Sequence, residues 1–169
     1  TATGKGRWAR FRSFLAAERT HEVSGLFLLL VSAYLLVAFT SYLFTWRIDQ
    51  DLMSRPWGQI FQPEVHAENW LGKLGALISH QFIYVWFGIA AFIFVLWVFL
   101  AGVRIVLRTW LSPVGKALRW SAMGLFWLPT LLGFFFPKGD WQILGGGVGY
   151  AINAHLIGWL GSFGAGTII

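Results

Sequence analysis

The chain has 169 residues, of which 57% are hydrophobic, 18% aromatic and only 12% charged, with 11 Trp and 16 Phe, a composition that excludes a sizeable water-soluble domain. There is no cysteine, which removes disulfides, thiolate metal sites and cysteine nucleophiles together. The formal net charge of +6 matters through its placement beside apolar segments, and does not by itself point to nucleic acid.

About 20 apolar residues cross a ~30 Å hydrocarbon core, so the chain has room for roughly four spans and short connections. Residues 1–23 form a basic N-terminal segment in which Trp8, Phe11 and Leu15 share one helical face among Lys5, Arg7, Arg10, Arg12 and Arg19. That pattern suits either an amphipathic helix on an anionic inner leaflet or a flexible basic tail. The first span is expected at 24–46, carrying no charge from Gly25 through Trp46; it is too long for a signal-peptide core and lacks a small-residue cleavage site, so it reads as a retained anchor. An outer loop follows at 47–73, in which Asp49, Asp51, Glu64 and Glu68 read as solvated charges. The apolar stretch from Leu74 to Leu107 would run roughly 50 Å as one helix, too long for the bilayer, so its start protrudes or bends and the crossing part falls at 82–106. The third span, 118–136, contains Pro129, which removes one backbone donor and should kink the helix unless a neighbour compensates. The fourth, 146–169, has no Asp, Glu, Lys or Arg.

Five cations face two acids in residues 1–22, and Arg104, Arg108, Lys116 and Arg119 form a second basic block with no acid. The 47–73 loop is slightly acidic, and Lys138 and Asp140 cancel. The positive-inside tendency then puts the N-terminal segment, the middle loop and the C-terminus in the cytoplasm. Trp46, Trp57, Trp70 and Trp141 fall at the outer surface and Trp8, Trp110 and Trp120 at the inner one, where aromatic anchors belong. The expected class is an all-α, four-span membrane domain over 24–169.

Catalytic, cofactor-binding and metal sites each need particular residue types at defined spacing, and none is found. Gly4-Lys5-Gly6 is too short for a phosphate-binding loop, and His21, His66, His80 and His155 lie far apart in sequence. Asn153 and His155, near mid-depth in the fourth span, form a candidate intramembrane polar site, because ionisable groups there are expensive. With His80, near the outer end of the second span, they carry the alternative reading, a small membrane subunit of a transporter, channel or respiratory complex. Small residues make the stronger pattern: Gly147, Ala151, Ala154, Gly158, Gly161 and Ala165 are spaced by three or four and line one helical stripe, a candidate packing or oligomer face. That groove receives either another span of this chain or another subunit.

Two motifs carry a family resemblance. Asn69, Gly72, Gly75 and Ala76 open the second span as Asn-x-x-Gly-x-x-Gly-Ala, followed by an aromatic run with Gly88; the fourth span has Gly145, Gly146, Gly147 and Gly149 and closes Leu160-Gly161-Ser162-Phe163-Gly164-Ala165. These segments resemble the N-terminal four-helix membrane domain of the FtsK/SpoIIIE DNA translocases. The resemblance implies a membrane-anchoring and assembly domain acting in bacterial cell division and chromosome segregation, in the inner membrane at the division septum. Its implied partners are other division-site membrane proteins, the anionic inner leaflet and further copies of itself. It also implies that the chain is one part of a longer protein, whose separate C-terminal motor domain would hold ATP and magnesium and contact DNA, with no cofactor bound in these 169 residues.

Overall fold

The computed structural model describes residues 18–108 and 114–169. The amphipathic pattern at Trp8, Phe11 and Leu15, and Trp110, lie outside them. Among the described residues every regular element is helical and no strand occurs. The helices are α1 (Glu18–Met53), α2 (Trp57–Ile60), α3 (Gly72–Ser79), α4 (Phe92–Leu107), α5 (Val114–Phe135) and α6 (Gly146–Ile168). A π-helical segment, His80–Phe87, and a 3-10 turn, Gly88–Ala91, join α3 to α4; a second 3-10 turn, Asp140–Leu144, precedes α6.

Hydropathy places the end of the first apolar stretch at Trp46, yet α1 continues to Met53, so the first seven residues of the expected outer loop are helical. Polar residues are compatible with helix, and what ends α1 is the sequence Ser54-Arg55-Pro56, since Pro56 disfavours helical backbone in the residue before it. Gly25, Ser32, Phe39 and Trp46 are all buried and recur every seven residues, with Tyr42 and Asp49 in the same relation. This seven-residue seam is the pattern of two helices packed at a shallow angle. Its partner is α4, running antiparallel. The carbonyl of Gly25 would lie 3.0 Å from a Cβ on Gly102, a Cβ on Gly25 would lie 2.6 Å from Val106 Cγ2, and the Ser32 hydroxyl donates to the Val95 carbonyl at 3.2 Å. Glycines on both helices at the Gly25 end of the seam let the two backbones close up, the main source of attraction where lipid replaces water.

The core sits where α1 meets the π segment and the start of α4. Phe39 and Tyr42 are fully buried there, and Phe39 packs tilted on Phe82 and edge-on against Phe92, with ring centroids 5.8 and 5.7 Å away. A further edge-on series, Phe82 to Phe94 to Trp97 at 5.2 Å per step, carries this packing towards α5, where the Trp97 indole donates to Ser121 Oγ at 2.8 Å. Trp46, expected at the outer surface, belongs to this core, with its ring stacked on Tyr84 at 6.1 Å. Trp57, Trp70, Trp120 and Trp141 are exposed.

The break in the second apolar stretch lies at 80–91, beginning in the part expected to bend and running on into residues expected to cross. Gly88 has φ +57° and ψ −140°, a conformation side chains forbid, and its N–H bonds back to the Ile83 carbonyl, closing the wide turn. In α5 the helical run passes through Pro129, and the next residue, Thr130, turns its hydroxyl back on the Phe126 carbonyl at 2.7 Å, bringing a side-chain donor to the turn where Pro129 lacks one.

Candidate functional site

Two constructions use the residues that the sequence singles out. The first clasps the 54–71 segment onto α1. Asn69 is buried and donates its amide to the Ala38 carbonyl at 2.9 Å, while its Oδ1 accepts the Leu71 N–H at 3.1 Å. That oxygen lies against Gly75, where any Cβ would collide with it, so the Asn and the second Gly of the motif are one fitted pair. Gly72, at φ +64°, lets the chain turn into α3 and donates its N–H to the Asn69 carbonyl at 2.7 Å; Ala76 is fully buried against Leu52 and Ile60. Beside it the Trp70 N–H donates to Ser41 Oγ at 2.9 Å.

Asp49 completes this clasp and corrects the expectation of a solvated loop charge. It is 1% exposed, its Oδ1 accepts the Glu68 N–H at 2.8 Å and its Oδ2 accepts the Thr45 hydroxyl at 2.7 Å. Asp51, Glu64 and Glu68 are exposed, as expected. A polar group of neighbouring side chains went unforeseen: Tyr42 Oη pairs with His80 Nδ1 at 2.8 Å, His80 stacks on Tyr84 at 5.0 Å, and Gln50 donates to Tyr84 Oη at 2.8 Å. His80 and Tyr84 are four residues apart, but their hydrogen-bond partners on α1 lie 38 and 34 residues away, beyond any local spacing rule.

The second construction is a main-chain interlock. Where the second apolar stretch breaks, the start of α6 enters the gap. A Cβ on Gly88 would strike the Leu144 carbonyl; one on Gly146, itself at φ +57°, would strike the Gly88 nitrogen; one on Gly147 would strike the Val85 carbonyl. On its other side the same end of α6 meets α5, where a Cβ on Gly145 would lie 2.7 Å from the Gly133 backbone and one on Gly149 would strike the Pro129 carbonyl. Asn153, one turn further on and buried, donates its amide to the carbonyls of Thr130 at 2.7 Å and Gly149 at 2.8 Å. Replacing Asn153 with Leu is expected to lower the stability of the α5–α6 pair by about 1 kcal/mol, measurable as a shift in detergent unfolding against the unaltered chain.

His155 does not join Asn153. Two residues along a helix turn it to the far side, where it is exposed and its Nδ1 meets the Ala151 carbonyl of its own helix at 2.8 Å. The small-residue stripe is likewise divided. Gly147 is half-buried and Ala165 fully buried, but Ala151, Ala154, Gly158 and Gly161 are exposed, and the α5 contact uses the neighbouring face of Gly145, Gly149 and Asn153. Gly161, at φ +70° and ψ 169°, is not helical, so the six residues do not lie on one straight stripe. Beyond it Gly164 packs beside Leu160, a Cβ on Gly166 would lie 3.0 Å from the Phe134 ring, and the Ile169 carbonyl accepts the Trp127 indole N–H at 3.0 Å.

Two helical stretches, His21–Met53 and Gly72–Leu107, are long and apolar enough to cross a bilayer. Helices of this length and composition, in an all-helical chain, fit an integral membrane protein. A family model described as the 4TM region of DNA translocase FtsK/SpoIIIE matches residues 17–169, and the chain belongs to that family. It is the membrane region of such translocases and not their ATPase motor. No curated protein and no solved structure matches it.

Proposed function

We propose that this domain anchors a DNA translocase in the bacterial inner membrane at the division septum and serves as its assembly module there. The observation that carries the reading is the family match, which extends over both the Asn69 clasp and the Gly88 interlock. In this reading the membrane is crossed four times, with α5 and α6, of 22 and 23 residues, supplying the third and fourth spans. Lys and Arg beside α1, α4 and α5 put both termini in the cytoplasm against an anionic leaflet. Lateral contacts with other division proteins and with further copies of the chain fall to the outer 54–71 segment and the exposed part of α6. ATP, magnesium and DNA belong to a motor domain elsewhere in the full protein.

A fluorescent fusion of these residues, expressed in dividing rod-shaped bacteria, is expected to gather at mid-cell, with tags at both termini accessible only from the cytoplasm and a tag in 54–71 only from outside. Uniform fluorescence along the cell envelope would remove the septal role. A C-terminal tag reached from outside would remove the anchoring one.

A further inference from the structure

A cavity of about 430 Å³ opens beside the interlock, between the π segment, the end of α5 and the start of α6. This is the volume of a small-molecule site. Its walls are of two kinds. Tyr84, Phe136 and Ile143 contribute apolar surface, while Lys138, Gln142 and Tyr150 bring an ammonium, an amide and a hydroxyl to the same space. Among the described lining residues Lys138 is the only one that is charged. The neighbouring acid does not neutralise it in this arrangement, because Asp140 is taken up by Arg47 of α1, whose guanidinium also lies 5.5 Å over the Trp46 ring. Gly146 and Gly147 also border the cavity, at the start of a 23-residue helix whose first N–H groups add partial positive charge. An occupant must therefore carry negative charge at one end and apolar surface at the other.

The segment between α5 and α6 carries the exposed Phe136, which lines the cavity, and the exposed Trp141. Aromatic side chains so placed between two membrane-length helices mark the boundary between headgroups and acyl chains. We propose that the cavity binds the headgroup of an anionic phospholipid of the outer leaflet, with Lys138 meeting the phosphate, Gln142 and Tyr150 hydrogen-bonding its ester and alcohol oxygens, and the upper acyl chain lying along Phe136. The inference rests on the four-span reading only for the leaflet, and holds whether or not the domain gathers at the septum.

Because the chain has no cysteine, a Trp141→Cys variant accepts a single fluorescent label beside the cavity. In mixed detergent micelles, brominated phosphatidylglycerol is expected to quench that label about fivefold more effectively than brominated phosphatidylcholine of the same chains, the effect of about one basic residue at a membrane surface. The preference is expected to vanish in Lys138→Ala and to return in Lys138→Arg, with circular dichroism unchanged in both. Equal quenching by the two lipids, or a preference that survives Lys138→Ala, overturns the proposal. Reversal by millimolar inorganic phosphate would show a free-anion site and overturn the lipid assignment. Tag accessibility measured on the same variants reports the four-span topology separately, so failure of one reading is distinguishable from failure of the other.

Discussion

Replacing Gly88 with Ala is expected to cost the domain about 3 kcal/mol or more, enough to remove most folded protein from a detergent extract. Two independent penalties combine. A backbone at φ +57° and ψ −140° is strained for any residue with a Cβ, by about 1–3 kcal/mol. The added methyl also strikes the Leu144 carbonyl, with the Gly145 carbonyl carbon 2.8 Å away, and overpacking of that kind costs a further ~1–3 kcal/mol. The obstacle is main chain on both sides, so no rotamer change can relieve it. Gly115 in α5 makes the control: a Cβ there would meet nothing within 4 Å, and Gly115→Ala is expected to be neutral or to stabilise by up to about 1 kcal/mol through helix propensity. Thermal midpoints from fluorescence-detected size-exclusion chromatography should separate the two variants by many degrees. Indistinguishable midpoints would mean that α6 does not lock against the broken second span.

The second large effect is local. Asp49→Ala is expected to release the 54–71 segment from α1, because it strands the Glu68 N–H and the Thr45 hydroxyl and removes a buried, doubly bonded carboxylate. Of the two bonds only that from Glu68 joins the segment to α1, and a hydrogen bond to a charged group contributes about 2 kcal/mol, so the opened form should rise about thirtyfold and cleavage by a glutamate-specific protease after the exposed Glu64 should accelerate in proportion. Asp51→Ala, at an exposed position two residues away, is expected to leave the cleavage rate unchanged. If both variants were cut at the parental rate, Asp49 would not be what holds the segment down.

These two residues show what a sequence discloses about such a domain and what it withholds. Apolar run lengths and the uncharged stretch from Gly25 to Trp46 announce membrane helices, because insertion depends on local composition. They do not say where α1 stops, since hydropathy registers the end of the oily stretch, whereas the helix continues until Pro56 disturbs its geometry. Asp49 looks like any loop acid until Glu68 is brought to it by tertiary folding. Asn69, Gly72 and Gly75 are visible as a spacing, but the Ala38 carbonyl that gives Asn69 its purpose lies 31 residues earlier. The fourth span misled in a different way. So many of its residues are small that several stripes satisfy the three-or-four spacing, and only the position of α5 selects the face of Gly145, Gly149 and Asn153. Gly88 stood within an aromatic run, with nothing local to show that another segment would pass through its missing side chain.

The interlock also limits the genetics of the domain. Where two side chains collide, a second mutation can shrink one of them and restore the fit, but Gly88 and Gly146 have already reached the smallest residue available. Colonies that recover from a Gly88 lesion should therefore be true revertants at that codon, whereas defects at Phe39 or Phe92 should yield suppressors in the facing ring.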